Sequence, residues 1–155
     1  MNTKEIQIIP FQAQYATDFY QLNIEWLEKY FYVEEYDEKV LRNPQSYILD
    51  TNGFIFFAIM DNKVIGTYAL INQKECYELS KMAISPKYQG LKIGQQLLEH
   101  CIQFSREQGW FKIMLYTSSV LKPAMHLYQK FDFIEVKLEK EVIYDRADIK
   151  MELKL

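Results

Sequence analysis

E-L-S-K-M-A-I-S-P-K-Y-Q-G-L-K-I-G-Q-Q-L-L-E, from Glu78 to Glu99, is the stretch that indicates the fold most strongly. Leu79 to Ile84 have the composition of a strand, which ends at Ser85-Pro86 because proline has no N–H to donate to a ladder. After Leu91, residues recur at the spacing of one helix face, namely Gly94, Leu97, Leu98, Cys101, Ile102 and Ser105. Gly109 follows where a helix stop is expected. The stretch predicts a strand, a glycine-containing loop and an amphipathic helix.

The loop in this stretch has the chemistry of an anion-binding site. The first N–H groups of a helix have no partner inside it, and the helix dipole leaves partial positive charge there. Gly90 would let a ligand approach the backbone closely, and Gly94 lowers helix propensity by about 1 kcal/mol, which favours a position that needs space. Phosphate is the usual ligand of such a junction. On these residues alone, a tight turn with close helix–strand packing is the alternative.

Length and composition restrict the class of protein. The chain has 155 residues, which predicts a single domain over residues 1–155. It has no apolar run long enough to span a membrane and no signal-peptide core near Met1, so we expect a cytoplasmic protein. A net charge of −3 disfavours nucleic-acid binding, which needs a basic face. His100 and His126 are the only histidines and the two cysteines form no C-x-x-C pattern, so we expect no metal site.

Hydrophobic periodicity predicts the element order β-α-α-β-β-β-α-β-α-β-β. The strand–helix–strand from Leu79 to Tyr116 should form a right-handed parallel crossover. The hairpins before it should be antiparallel. We therefore expect an α/β (α+β) fold with a mixed, strongly twisted central sheet of about six to seven strands and about four flanking helices. The other expected elements are Glu5–Ile9, Tyr15–Tyr32, Asp37–Arg42, Phe54–Met60, Lys63–Asn72, Glu75–Ile84, Lys112–Thr117, Pro123–Lys130, Phe133–Leu138 and Asp148–Leu155.

The loop sequence Q-G-L-K-I-G, from Gln89 to Gly94, resembles motif A of the GNAT superfamily of N-acetyltransferases, Q/R-x-x-G-x-G/A after a strand. The element order is also that of the GNAT fold, so the resemblance covers nearly the whole chain. Lys92 departs from the motif, which usually has glycine there. In the family, backbone N–H groups of this loop hold the pyrophosphate of acetyl-CoA. The resemblance therefore implies a cofactor-binding set of Gln89, Gly90, Leu91, Lys92, Ile93, Gly94 and Gln95.

A second segment, from Ala124 to Phe133, resembles the family signature A-x-x-L-Y-x-K-x-G-F. Asp132 replaces its glycine, and Leu121 stands where many members have asparagine. Tyr128 matches the tyrosine whose phenol donates to the coenzyme A sulfur, which implies a catalytic and cofactor-contacting role. A helical tyrosine that only packs against its neighbours is the alternative. The segments W-L-E-K-Y-F (Trp26–Phe31) and R-A-D-I-K-M-E-L (Arg146–Leu153) are similar to those of a bacterial branch of the superfamily.

The strand before motif A carries a bulge in GNAT proteins, and this bulge opens a slot for the pantetheine arm. By position, Met82, Ala83 and Ile84 are expected to line that slot with backbone groups. Glu78 begins the same strand, where a histone-acetylating branch keeps its general base. The resemblance makes Glu78 the candidate base here, with Glu75, a water chain or no base role at all as alternatives.

The resemblance implies direct transfer of an acetyl group from acetyl-CoA to a primary amine of a small molecule or peptide. The acidic segment Glu34–Glu38 is either a solvated helix start or the lip of a cleft that attracts a cationic amine. Exposed aromatics at Tyr30–Tyr32 would line either the substrate pocket or a homodimer interface. Because Lys92, Leu121 and Asp132 depart from the motifs, a GNAT-fold protein that binds acyl-CoA without turnover is the alternative; a nucleotide-phosphate protein ranks last.

Overall fold

A seven-stranded sheet with the order β1-β2-β3-β4-β5-β7-β6 forms the centre of the protein. The computed structural model describes residues 5–88 and 90–155, so Gln89, an expected cofactor contact, lies outside the described residues. The strands are β1 Gln7–Pro10, β2 Phe54–Met60, β3 Lys63–Asn72, β4 Tyr77–Ile84, β5 Lys112–Thr117, β6 Ile134–Val136 and β7 Ile149–Lys154. The α-helices are α1 Ala16–Tyr30, α2 Glu35–Arg42, α3 Ile93–Glu107 and α4 Lys122–Lys130.

The predicted fold class and the parallel pairing of β4 with β5 are confirmed. β4 and β5 are parallel, and the other neighbouring strands of the sheet pair antiparallel. The final strand β7 inserts between β5 and β6. The sheet is therefore mixed, and α3 supplies the helical crossover that joins the parallel neighbours β4 and β5 at its centre.

Most element boundaries differ from the sequence expectations by one or two residues, and the differences at α3, β4 and β6 have an identifiable form. α3 begins at Ile93 because Lys92 adopts a left-handed conformation (φ 57°, ψ 30°) that ends the loop. β4 begins at Tyr77 because Gln73–Cys76 forms a turn closed by a backbone hydrogen bond of 3.0 Å. β6 spans only Ile134–Val136, and a π-helical turn at Gln45–Leu49 has no counterpart in the expected order.

Two hydrophobic layers cover the faces of the sheet. On one face α3 buries its predicted stripe, including Leu97, Leu98 and Cys101. On the other face α1 and α2 contribute Phe19 and Leu41 to a second cluster. Each fully buried side chain of this size stabilises the fold by about 1.5–3 kcal/mol. The two layers hold β4 between α3 and α1, which fixes the position of the cavity described next.

Candidate active site

The candidate site opens where β4 separates from β5. The two strands pair only through Tyr77–Ile113 and Glu78–Met114. Beyond these pairs β4 carries a bulge, since its register with β3 shifts around Lys81, whose φ is 55°. A bulge bends its strand away from a neighbour. A cavity of about 400 Å³ lies at this point, and β4 lines it from Glu78 to Ile84.

The expected slot residues and part of the expected loop lie on the cavity wall. Met82, Ala83 and Ile84 line it from β4; Gly90, Lys92, Ile93 and Gly94 line it from the loop and the start of α3. Leu91 is 50% exposed and is not part of the wall. Gln95 also lies off the wall, where its side chain donates to Glu99 and accepts a hydrogen bond from Lys130. The side chains of Leu91 and Gln95 therefore do not face the cavity.

The N-terminus of α3 leaves backbone donors available at the cavity. Lys92 is the N-cap residue and supplies no side-chain cap. The N–H of Gln96 donates to the Lys92 carbonyl at 3.0 Å, which is the first hydrogen bond of the helix. The N–H groups of Ile93, Gly94 and Gln95 therefore have no acceptor within the helix. Gly90 has φ 86°, and a Cβ there would meet no atom within 4 Å. A Cβ on Gly94 would lie 3.3 Å from Cδ1 of Ile84, so this glycine permits close packing of α3 on β4.

Tyr128 lines the same cavity from α4. Burial, reinforced by the nearby Cys101 thiol, raises the pKa of its phenol to about 12. Its ring packs against Phe133 with a centroid separation of 5.8 Å. Asp132, which replaces the glycine of the motif, has φ 72°, and aspartate tolerates that left-handed geometry better than most residues. A phenol with a raised pKa keeps its proton at neutral pH and can donate it.

Glu78 is buried, with 7% of its surface exposed, and lines the cavity at the last β4–β5 pair. The Gln73 side-chain amide donates to its Oε1 at 2.6 Å. Burial raises the pKa of the Glu78 carboxyl above its usual value of 4.5, although this hydrogen bond opposes the shift. The alternative base, Glu75, is exposed and is not part of the wall. Glu78 is thus the carboxylate that the fold brings to the cavity.

A buried ionic network, which sequence reasoning missed, also lines the cavity. Asp37 is fully buried; Arg146 donates to both of its carboxylate oxygens at 2.8 Å, and the ammonium of Lys81 lies 3.3 Å from Oδ1. Lys81 also donates to the Tyr144 hydroxyl at 2.6 Å, and Arg146 donates to Glu34 at 3.0 Å. The expectation of a solvated acidic helix start is therefore wrong for Asp37. No local sequence signal pairs it with Arg146, which lies 109 positions away.

The charge of the acidic segment is neutralised inside the fold. Asp37 and Glu34 pair with Arg146, and the two acids also form the capping box of α2. Glu35 lies 3.6 Å from Lys39, and Glu38 pairs with Arg42. The segment therefore reaches the cavity through Asp37 but does not form a free acidic lip.

Aromatic side chains complete the wall. Three of them, Trp26, Tyr30 and Phe31, come from the end of α1. The ring centroid of Trp26 lies 5.4 Å from that of Tyr30 and 5.7 Å from that of Phe31. Tyr116 and Tyr144 contribute from β5 and from the segment before β7. Tyr30 and Phe31 thus belong to the cavity, as one of the two alternatives expected.

These features define an α/β domain with a splayed parallel strand pair, a helix N-terminus and a half-buried tyrosine around one cavity. A family model, "Acetyltransferase (GNAT) family", matches residues 5–133. The chain belongs to the GNAT acetyltransferase family. Among the described residues, no helix is long and apolar enough to cross a membrane.

Curated relatives include a probable N-acetyltransferase camello of Xenopus tropicalis and the human N-acetyltransferase 8B. Both are 26% identical, over 61% and 57% of this chain and over 45% and 42% of their own lengths. The chain therefore spans less than half the length of these relatives.

Solved structures extend the likeness in fold to the whole chain. A GNAT acetyltransferase of Staphylococcus aureus Mu50 aligns with a TM-score of 0.85 and 24% identity, covering 97% of this chain and 99% of its own. The Thermoplasma acidophilum PaiA N-acetyltransferase, solved in complex with coenzyme A, aligns with a TM-score of 0.77 and 21% identity. This alignment covers 97% of this chain and 99% of the PaiA chain. The Vibrio cholerae spermidine N-acetyltransferase, solved with CoA and spermine, aligns with a TM-score of 0.72 and 20% identity. This alignment covers 96% of this chain and 95% of that one.

Proposed function

We propose that this chain transfers the acetyl group of acetyl-CoA to a primary amine of a small molecule or peptide, by direct attack within a ternary complex. One observation carries the proposal. The cavity at the β4–β5 separation is lined at once by the start of α3, by Tyr128 and by Glu78. The start of α3 provides a site for an anion, Tyr128 a proton donor and Glu78 a proton acceptor. Acyl transfer from a coenzyme A thioester to an amine uses these three roles around one cavity.

The start of α3 fits the pyrophosphate of acetyl-CoA. Its first N–H groups carry partial positive charge, and the space beside Gly90 is open. Lys92 adopts the left-handed geometry that a glycine would give, so the loop keeps its turn while adding an ammonium near the phosphates. The residues Gly90, Lys92, Ile93 and Gly94 would hold this part of the ligand, and Met82, Ala83 and Ile84 would line the pantetheine slot. Bound acetyl-CoA supplies the thioester that the amine attacks.

Glu78 would take a proton from the incoming ammonium, directly or through water. A primary amine has a pKa near 10.4 and is mostly protonated at neutral pH, so the site must accept a proton before attack. The raised pKa of the Glu78 carboxyl makes it a stronger base than an ordinary glutamate. Its position on the cavity wall, beside the last β4–β5 pair, puts it next to the slot.

Tyr128 would donate its proton to the departing thiolate. Its pKa of about 12 keeps the phenol protonated at neutral pH, so the proton is available when sulfur leaves. The N–H groups of β4 that face β5 lose their strand partner beyond Glu78 and can donate to the carbonyl oxygen as negative charge develops. Positioning of the two reactants in one cavity supplies up to about 7–11 kcal/mol of the barrier reduction.

Amine-dependent thiol release tests this function. The protein is mixed with acetyl-CoA and an amine panel, and both the free thiol and the acetylated amine are measured, the latter by mass spectrometry. Direct transfer predicts no thiol burst when acetyl-CoA is added alone. Binding of acetyl-CoA without amine-dependent release would instead favour the acyl-CoA-binding alternative.

A further inference from the structure

The carboxylates on the cavity wall differ in whether they can meet a ligand. Among the described wall residues, the carboxylates are Asp37 and Glu78. Both oxygens of Asp37 are taken, by the guanidinium of Arg146, by Lys81 and by the Glu34 backbone N–H. Glu78 accepts from the Gln73 amide, and the Ser80 side chain and the charge of Lys81 also act on it, but no guanidinium or ammonium among the described residues forms an ion pair with it. One carboxylate is therefore left for an incoming cation.

The cations beside Asp37 already use the other carboxylates of this region. Lys81 and Arg146 line the cavity beside Asp37, and Lys92 lines its loop side. Lys29 lies outside the wall with its ammonium 5.2 Å from the Tyr30 ring centroid. A second ligand ammonium buried there would thus lose its water without an unpaired carboxylate to replace that hydration.

The remaining surface suits an apolar ligand body. Trp26, Tyr30 and Phe31 lie together at the end of α1, and Leu27 and Ala147 also line the cavity. Aromatic rings gain from contact with apolar or aromatic groups through buried area and ring packing. They also attract one ammonium through their faces, which complements the single carboxylate.

We propose that the acceptor is a small amine with one ammonium on an apolar or aromatic body and no second cation. This rests on the proposed acetyl transfer and narrows its acceptor. The ammonium pairs with Glu78 and passes one proton there, and the nitrogen forms the new bond to the acetyl carbon. The bond from that carbon to sulfur breaks, the leaving thiolate takes the Tyr128 proton, and the second proton lost by the nitrogen restores the Tyr128 phenol. The body of the acceptor lies against Trp26, Tyr30 and Phe31.

The test compares hexylamine with 1,6-diaminohexane, which differ only in the second amine. The expected kcat/KM for acetylation is about tenfold or more higher for hexylamine, although the diamine offers two equivalent groups. Titration calorimetry of both amines against CoA-loaded protein makes the same comparison without turnover. Equal or faster transfer to the diamine overturns the inference and leaves acetyl transfer standing. If both amines fail to react and fail to bind, the inference and the proposed acetyl transfer are both overturned.

A second test introduces a negative charge into the cavity wall. Tyr30 is 42% exposed, so its replacement changes the cavity with little effect on the core. Tyr30→Glu adds a carboxylate, and Tyr30→Gln is the neutral control of nearly the same shape. The diamine-to-monoamine ratio of kcat/KM should rise about tenfold in Tyr30→Glu relative to Tyr30→Gln. An unchanged ratio between the two variants contradicts the inference.

Discussion

The ammonium of Lys81 lies 3.3 Å from a carboxylate oxygen of Asp37, which ties the bulge of β4 to the first turn of α2. The side chains are 5% and 0% exposed. Lys81 has φ 55°, a conformation that costs about 1–2 kcal/mol for a residue with a Cβ atom. The ion pair and the hydrogen bond to Tyr144 offset that strain. We infer that this contact keeps β4 bent away from β5 and so maintains the cavity.

Asp37→Asn should destabilise the protein strongly, because it leaves Lys81 and Arg146 buried without their common carboxylate. The expected loss is about 3–5 kcal/mol in the free energy of unfolding, measured by urea denaturation. Glu35→Gln is the matched control in the same helix, since Glu35 is 88% exposed and should contribute less than about 0.5 kcal/mol. Equal stability of the two variants would contradict the structural role of the network.

The same carboxylate should make stability depend on pH. Burial tends to raise the pKa of Asp37, but the Arg146 hydrogen bonds and the Lys81 charge outweigh it and lower the pKa below 3.8. The unfolded chain then binds a proton before the folded one does as pH falls. The Asp37 contribution is therefore complete above pH 3.8 and is lost as pH falls through the folded pKa. Asp37→Asn should lack this dependence in urea titrations across that range.

Tyr128→Phe should lower kcat by about 10²- to 10⁴-fold, because the phenol proton is no longer available to the leaving thiolate. The affinity for acetyl-CoA should change little, since the ring and its packing against Phe133 remain. Thiol-release kinetics and calorimetry together make this distinction. An unchanged kcat would remove Tyr128 from the chemistry.

Glu78→Gln should remove the acidic limb of the pH–rate profile. Glu78 must be ionised to accept a proton, and burial raises its pKa above 4.5, so kcat/KM should rise with pH through that raised value. Glu75→Gln, which changes an exposed carboxylate outside the cavity, is the control. A profile that keeps its acidic limb in Glu78→Gln would assign the base role elsewhere.

Most of the fold could be predicted because its signals are local. The helix stripe at Leu97, Leu98 and Cys101 and the strand–helix–strand crossover follow from periodicity and chain order. The bulge could be expected only through family resemblance, since the left-handed Lys81 has no glycine to mark it.

The ionic network could not be predicted from the sequence at all. Asp37 and Arg146 are 109 positions apart, and their pairing depends on how α2 and the segment before β7 fold over β4. The expectation of a solvated helix start therefore fits Glu35 and Glu38, which pair with cations at the surface, but it is wrong for Asp37 and Glu34, which pair with Arg146 inside the fold. The pairing of Asp37 leaves Glu78 as the wall carboxylate that the ammonium of the proposed acceptor would meet.

Titration calorimetry with acetyl-CoA on a matched pair of glycine variants tests the proposed cofactor site. Gly90 and Gly109 have φ values of 86° and 79°, and a Cβ at either would meet no atom within 4 Å, so alanine strains both backbones alike. Gly90 lines the cavity and Gly109 follows α3 outside it. We predict micromolar binding by the unaltered protein, unchanged affinity in Gly109→Ala and affinity about tenfold or more weaker in Gly90→Ala. Absence of binding by the unaltered protein, or equal affinities of the two variants, would contradict acetyl-CoA binding at the start of α3.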